Sequence, residues 1–437
     1  MSGFDLPREL LLGTATAGAQ IEGGDVDSNW YHWSLAGRVA NGRSSLPGAG
    51  HWDRVDEDVE LMASLNLECY RMSVEWSRVE PRRGEWSGEG IAHYRRELEL
   101  LAAKGIKTLV TLHHFSCPQW FQERGGWLAP DAADLFMAFA RRAVEEYGDL
   151  VSEWCTINEP NVLAMSSYVD GDYPPGVKGD FGAYFRAARA LIEAHCRAYG
   201  MIHELRRERG WPGETRVGFA HHLAVFEPKN LLAAPGTASS DYSFHRIFFA
   251  GFVEGRLLPP LGAGRPFGRG ARGGRFCDFL GINYYARHLF TPTIKPVFAK
   301  EGTDPEATDL NDMGWEIYPE GLFEVCAKAW RRYGLPIQIT ENGIPDEKDV
   351  RRTQFIYEHL AQVKRLLDAG IPVERYYYWS FTDNMEWHNG YGPRFGLVEV
   401  DYETMRRAPR PSARAFAEVC ATRHVPWDAP ARAPDPA

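Results

Sequence analysis

The stretch VSEWCTINEP, Val151–Pro160, runs from an apolar segment into an asparagine, a glutamate and a proline. Proline cannot donate to a ladder but is favoured at the first position of a helix. The segment therefore reads as a buried strand ending near Asn158, with Glu159 at the junction between that strand and a helix. A carboxylate placed there costs free energy on burial unless it is partnered or used. Other runs share this form. LLGTATA (Leu11–Ala17), LECYRMSV (Leu67–Val74) and IKTLVTLHH (Ile106–His114) precede SEWCTIN (Ser152–Asn158). RVGFAHHL (Arg216–Leu223), DFLGINYY (Asp278–Tyr285), PIQITEN (Pro336–Asn342) and RYYYWSF (Arg375–Phe381) come after it.

Between these runs lie amphipathic stretches such as RVDEDVELMASLN, YRRELELLAAKG, DAADLFMAFARRAVEEYG and TQFIYEHLAQVKRLLDAG, several ending in a helix-stopping glycine. Strands that alternate with helices pair in parallel. Eight such units predict an α/β fold, a closed (β/α)8 TIM barrel, in a single domain over residues 1–420. The alternative, an open doubly wound sheet, calls for a glycine-rich dinucleotide or phosphate loop after the first strand, and GTATAGAQIEGG carries neither fingerprint. Most strands end in polar or aromatic residues: Gln20, Arg71, His114, Asn158 with Glu159, His222, Asn283 with Tyr285, Glu341 and Trp379. In a parallel barrel those ends meet at one rim, where enzymes of this architecture build their sites.

Composition narrows the function. The 437 residues are 44% hydrophobic and 13% aromatic, enough for a large core. A net charge of −10 argues against nucleic acid and anionic membranes as partners. The basic stretch RPFGRGARGGR, Arg265–Arg275, is the local exception and reads as a mobile, solvated loop. The seven cysteines show no metal-ligand spacing and read as reduced core thiols. MSGFDLPREL has no leader pattern and no window resembles a membrane span, so the expected location is cytoplasmic. Residues 421–437, rich in Pro and Ala, read as a partly disordered tail. Monomer and homodimer both remain open.

Glu159 in TINEP and Glu341 in ITENG end the fourth and seventh strands. Each alone reads equally well as an ion-pair partner or a helix cap. Two carboxylates across one pocket are the equipment for cleaving a glycosidic bond: one, protonated, donates to the leaving oxygen, and the other attacks the anomeric carbon or activates water.

GTATAGAQIEG, YRMSVEWSRVEP, TLHHFSCPQW, TINEP, LGINYY, GWEIYPEGL, ITENG and YYYWSFTDNMEWHNGYGPRFGLVEVDY stand in an order that resembles glycoside hydrolase family 1, the β-glucosidase-like retaining glycosidases, from about Phe4 to Phe416. The resemblance implies a retaining exo-β-glycosidase acting on terminal non-reducing β-D-glucosyl residues, with no cofactor and no metal. Glu159 is then the acid/base and Glu341 the nucleophile, with Arg71, Tyr285 and Asn283 beside them. Arg71 and Tyr285 are expected to lower the Glu341 pKa and hold it ionised. Gln20, His114, Asn158, Glu386 and Trp387 match positions that bind sugar hydroxyls, and Trp379 matches the platform under the ring. Glu386, with Pro393 and Phe395 in PRFGL, stands where relatives acting on 6-phosphosugars carry Ser and a Lys–Tyr pair, which implies a non-phosphorylated β-glucoside or short β-linked oligosaccharide.

The chain departs from the family at Phe115-Ser116, His221-His222 and His388-Asn389, which leaves the preferred leaving group open. Adjacent residues on a strand face opposite ways, so the paired histidines make a poor metal site. Glu75 reads as part of an ion pair at the pocket rim and Glu80 as a solvated or capping group. A β-galactosidase or β-fucosidase is the nearest alternative activity, and a non-catalytic carbohydrate-binding protein the alternative from another class.

Overall fold

The computed structural model describes residues 3–264, 274–292 and 309–427. Most of the basic Arg265–Arg275 stretch and residues 428–437 of the tail lie outside the described residues. Eight parallel strands form a closed barrel: β1 (Leu11–Ala15), β2 (Cys69–Ser73), β3 (Lys107–Thr111), β4 (Glu153–Asn158), β5 (Arg216–His222), β6 (Leu280–Tyr284), β7 (Ile337–Asn342) and β8 (Val373–Trp379). Closure is made by β8 on β1, in register from Arg375↔Leu11 to Trp379↔Ala15. That pairing excludes the open sheet.

Strands covered on both faces read as continuous apolar runs rather than alternating ones. Accordingly β2 and β6 are buried at every position. Gly13 answers to close approach, because a Cβ there would lie 1.7 Å from the Cys69 carbonyl oxygen. The main outer helices are α1 (Val55–Ser64), α2 (Gly88–Ala103), α3 (Ala132–Tyr147), α4 (Phe181–Arg209), α5 (Ile247–Glu254), α6 (Glu320–Tyr333), α7 (Arg352–Asp368) and α8 (Pro411–Thr422). Most turn one stripe inward, whereas α5 is buried on nearly every side. In α3 the stripe is Phe136, Phe139, Ala140, Ala143, Val144 and Tyr147, the spacing of one helix face.

Two features differ from the sequence reading. The strands stop one to three residues short of the expected ends at the C-terminal rim in β2 and β3, so that His114 lies beyond Thr111 and outside the ladder. Residues 421–427, assigned by composition to a tail, are ordered: α8 runs to Thr422, and His424–Val425 pairs antiparallel with Phe4–Asp5. Fully buried Val425 anchors that strand. All seven cysteines are buried free thiols. Among the described residues no helix is long and apolar enough to cross a membrane.

Candidate active site

Both glutamates stand where the ladder is broken. The β4–β5 register shifts between Cys155 and Asn158, and the β6–β7 register shifts between Ile339 and Glu341. Such irregularities re-aim a side chain at the rim of a barrel. Glu159 also holds left-handed backbone angles, φ 40° and ψ 60°, which a residue with a Cβ adopts only when its surroundings impose them. They are imposed by its N–H, which donates to Ala220 O at 2.8 Å, and by Pro160 opening the helix Pro160–Met165.

A single hydrogen-bonded chain links the two carboxylates. Arg71 donates from Nη1 to Glu341 Oε1 and from Nη2 to Asn158 Oδ1, each at 2.6 Å. Asn283 Nδ2 donates to that same Asn158 oxygen at 3.0 Å and to Glu159 Oε1 at 2.9 Å. Thr340 Oγ1 fixes the Asn283 amide by donating to its Oδ1 at 2.6 Å. Tyr285 donates its hydroxyl to Glu341 Oε2 at 2.6 Å. Asn158 Nδ2 donates to His114 Nε2 at 2.9 Å, and burial holds that imidazole neutral, as an acceptor must be. Residues from strand ends far apart in sequence thus converge with His114 on one hydrogen-bonded cluster.

The electrostatic expectation for Glu341 is corrected. Arg71 and Tyr285 do pull its pKa down, but burial is the larger effect, and with the Glu159 charge it pushes the carboxyl up to about 7. Burial outweighs the partners because so little of this residue meets solvent; Glu341 is 3% exposed. Arg71 itself is fully buried, and the charge of Glu341 favours its cationic form.

The carboxylates open into a cavity of about 250 Å³ whose lining includes His114, Asn158, Tyr285, Trp379, Glu386, Trp387 and Phe395. The Trp379 and Trp387 rings lie 5.7 and 5.9 Å from that of His114, near-parallel to it. Phe395 meets Tyr285 edge-on at 6.2 Å. Gln20 sits behind this wall, fully buried, with Nε2 donating to Asn384 Oδ1 at 3.0 Å, Met385 O at 2.8 Å and Glu386 Oε2 at 3.5 Å. Burial, then the charges of Glu341 and Glu159, push the half-buried Glu386 up to about 8.

The loop that carries Glu386 is tied down by Asp383, a residue the sequence did not single out. Its carboxylate is fully buried and accepts from Arg410 Nη1 at 3.0 Å, from Arg410 Nη2 at 2.8 Å and from the Gly396 N–H at 3.0 Å. Tyr173, Phe226, Phe244 and Trp315 also line the cavity unanticipated. Phe226 lies on the short strand Val225–Pro228 and Phe244 on the helical turn Tyr242–Arg246, outside the barrel, and only their aromatic character marks the four.

His222 faces the cavity, 3.4 Å from Glu159 Oε1, while His221 points away to His245 at 3.2 Å. His113 likewise points away, accepting from Trp127 Nε1 at 2.8 Å. Among the described residues no His, Cys, Asp and Glu are grouped to hold a metal. Glu75 is not at the rim: it is buried, accepts from Ser73 Oγ at 2.7 Å, and is pushed up to about 8 by burial and the neighbouring Glu22. Glu80 is buried too, accepting from Trp76 Nε1 and the Gly84 N–H, each at 2.7 Å.

A parallel barrel with two linked carboxylates at the C-terminal rim, opening into an aromatic-walled cavity, has the equipment of a glycoside hydrolase. The sequence pattern of glycosyl hydrolase family 1 matches residues 4–256 and 274–425, and the chain belongs to that family. It is 30% identical to β-glucosidase A of Acetivibrio thermocellus over 96% of this chain and 99% of that one. A β-galactosidase of Pyrococcus woesei is 28% identical over 96% and 98% of the two chains. The structure superposes on a β-glycosidase from Pyrococcus horikoshii with a TM-score of 0.87 at 32% identity, covering 97% and 96%.

Proposed function

We propose that the enzyme removes terminal non-reducing β-D-glucosyl residues with retention of configuration, Glu341 acting as nucleophile and Glu159 as acid and then base. The carrying observation is the placement of Arg71, which contacts Glu341 at 2.6 Å and holds Glu159 only indirectly, through Asn158 and Asn283. The guanidinium in contact with Glu341 favours its charged, attacking form, which supports Glu341 as the nucleophile and Glu159 as the proton donor. Glu159 Oε1 already accepts from Asn283, so Oε2 is the oxygen free to carry that proton into the cavity.

In the first step Glu341 forms an ester with the anomeric carbon while the bond to the leaving oxygen breaks and that oxygen takes the Glu159 proton. The Glu341 charge is then gone. In the second, Glu159 takes a proton from water as that water attacks the anomeric carbon and the ester opens. Two inversions give retention. Asn158, held by Arg71 and Asn283, is placed for the sugar 2-OH, a contact that strengthens in the transition state. Glu386, held from behind by Gln20 Nε2, takes the hydroxyls at the far end of the ring, and Trp379 lies under its C–H face.

Neither Lys nor Arg is among the described residues lining the cavity to hold a phosphate dianion, which supports a non-phosphorylated sugar. The test is hydrolysis of 4-nitrophenyl β-gluco-, β-galacto-, β-fuco- and 6-phospho-β-glucosides, with the anomer first released read by proton NMR. β-Glucose released first from the glucoside, with no turnover of the phosphorylated substrate, is expected. α-Glucose as the first product would overturn the mechanism, and a faster galactoside would move the assignment to a β-galactosidase.

A further inference from the structure

The cavity changes character on the two sides of the carboxylates. The side built by β7, β8 and the loop after β8 presents Glu341, Trp379, Glu386 and Trp387. The opposite side presents Val162 and Met165 from the helix after Glu159, then Phe226, Phe244, Met313 and Trp315. Val162, Phe226, Met313 and Trp315 are only half-buried, so apolar surface is left uncovered there. Polar groups on this side are Ser166, Asp170, His222 and His288, and His222 is drawn to Glu159 at 3.4 Å.

A second pyranose carries hydroxyls around its whole edge, and each left facing an apolar wall loses its bonds to water without replacement. An alkyl or aryl group loses none and removes apolar surface from water. Resting on the β-glycosidase reading above, we propose that the leaving-group side of this enzyme takes an apolar alcohol, as in alkyl and aryl β-glycosides, in preference to a second sugar. Phe226 marks the end of that wall. On its far side lies a second hollow of about 250 Å³, where Phe249, Val325 and Tyr333 stand among the charged Asp241, Arg246, Glu324, Lys328 and Arg332.

The test is kcat/KM on methyl, butyl, hexyl and octyl β-glycosides of whichever sugar the nitrophenyl panel favours, with the matching β-1,4-linked disaccharide alongside. Leaving-group basicity barely changes along the alkyl series, so the slope reads binding. The rate is expected to rise up to roughly fourfold per methylene over the first carbons. The octyl glycoside is expected to outrun the disaccharide, although the sugar hydroxyl is the better leaving group. Trp315→Ser and Phe226→Ala, each removing apolar wall, should both flatten the slope. A flat alkyl series with the disaccharide turned over faster would overturn this inference and leave the β-glycosidase reading standing. Inertness of every nitrophenyl β-glycoside would overturn both.

Discussion

Replacing Arg71 by Met tests the electrostatics of the site most directly. The guanidinium is fully buried and donates to Glu341 at 2.6 Å, to Asn158 at 2.6 Å and to Thr111 Oγ1 at 3.1 Å. With Arg71 in place, Glu341 already stands at about 7. An opposite charge in contact moves a carboxyl by about 1–3 pH units, so without it Glu341 rises to roughly 8–10. At pH 7 the ionised fraction then falls from about one half to between roughly one tenth and one thousandth, and kcat/KM by about 5–500-fold. The acid limb of the pH profile of kcat/KM on a 4-nitrophenyl β-glycoside should move upward by the same amount, about 1–3 pH units. Activity lost at pH 7 should return in part as the pH is raised. Stability supplies a second reading. A carboxyl whose folded pKa lies above its unfolded value keeps its proton in the folded state, so its contribution falls as pH rises from the unfolded to the folded value. The melting temperature of R71M should therefore keep declining to higher pH than that of the parent. An acid limb that stays where the parent's lies, however far the rate drops, would refute the reasoning and reduce Arg71 to a packing residue.

Glu75→Gln should stabilise the protein above pH 8 by up to about 5 kcal/mol and give no gain near pH 4.5, because Glu75 is raised from 4.5 to about 8 and the folded state must otherwise ionise it; thermal unfolding at the two pH values checks this. Asp383→Asn leaves Arg410 buried without its anion and should cost roughly 3–5 kcal/mol in chemical denaturation, with KM raised as the Glu386 loop loses its anchor. Glu341→Gly should abolish hydrolysis of β-glycosides, and added azide should restore turnover of a nitrophenyl β-glycoside by forming the α-glycosyl azide, seen by NMR. A β-azide product would mean that Glu341 is not the attacking group.

The barrel was legible because strands buried on both faces leave uninterrupted apolar runs, and because those runs end in polar residues at one rim. Glu159 and Glu341 could be picked out for the same reason. What sequence did not disclose was balance and anchoring. Glu341 has the partners anticipated for it, yet whether burial or Arg71 prevails depends on how much protein surrounds the carboxyl, a quantity with no local signature. Glu75, in a stretch that reads as a rim, is enclosed by segments carrying Glu22, Ser73 and Tyr94. Asp383 gives no periodic signal, and its partner Arg410 comes from the start of the last helix. The leaving-group wall was least legible, since Phe226, Phe244, Met313 and Trp315 come from short segments outside the barrel whose only common property is where they meet.

Gln20 and Glu386 belong to opposite ends of the polypeptide, yet the Gln20 amide bonds to Asn384, Met385 and Glu386, separated from it by 364 to 366 residues. β8 closes on β1 across a similar span. A ribosome releasing this chain therefore produces most of a barrel before any sugar pocket exists. A nascent or truncated polypeptide that stops before β8 is not a slow enzyme but an unclosed sheet with an exposed edge. The long-range closure makes activity a report on complete synthesis, and it makes the interval before closure the period when a chaperone has most to shield.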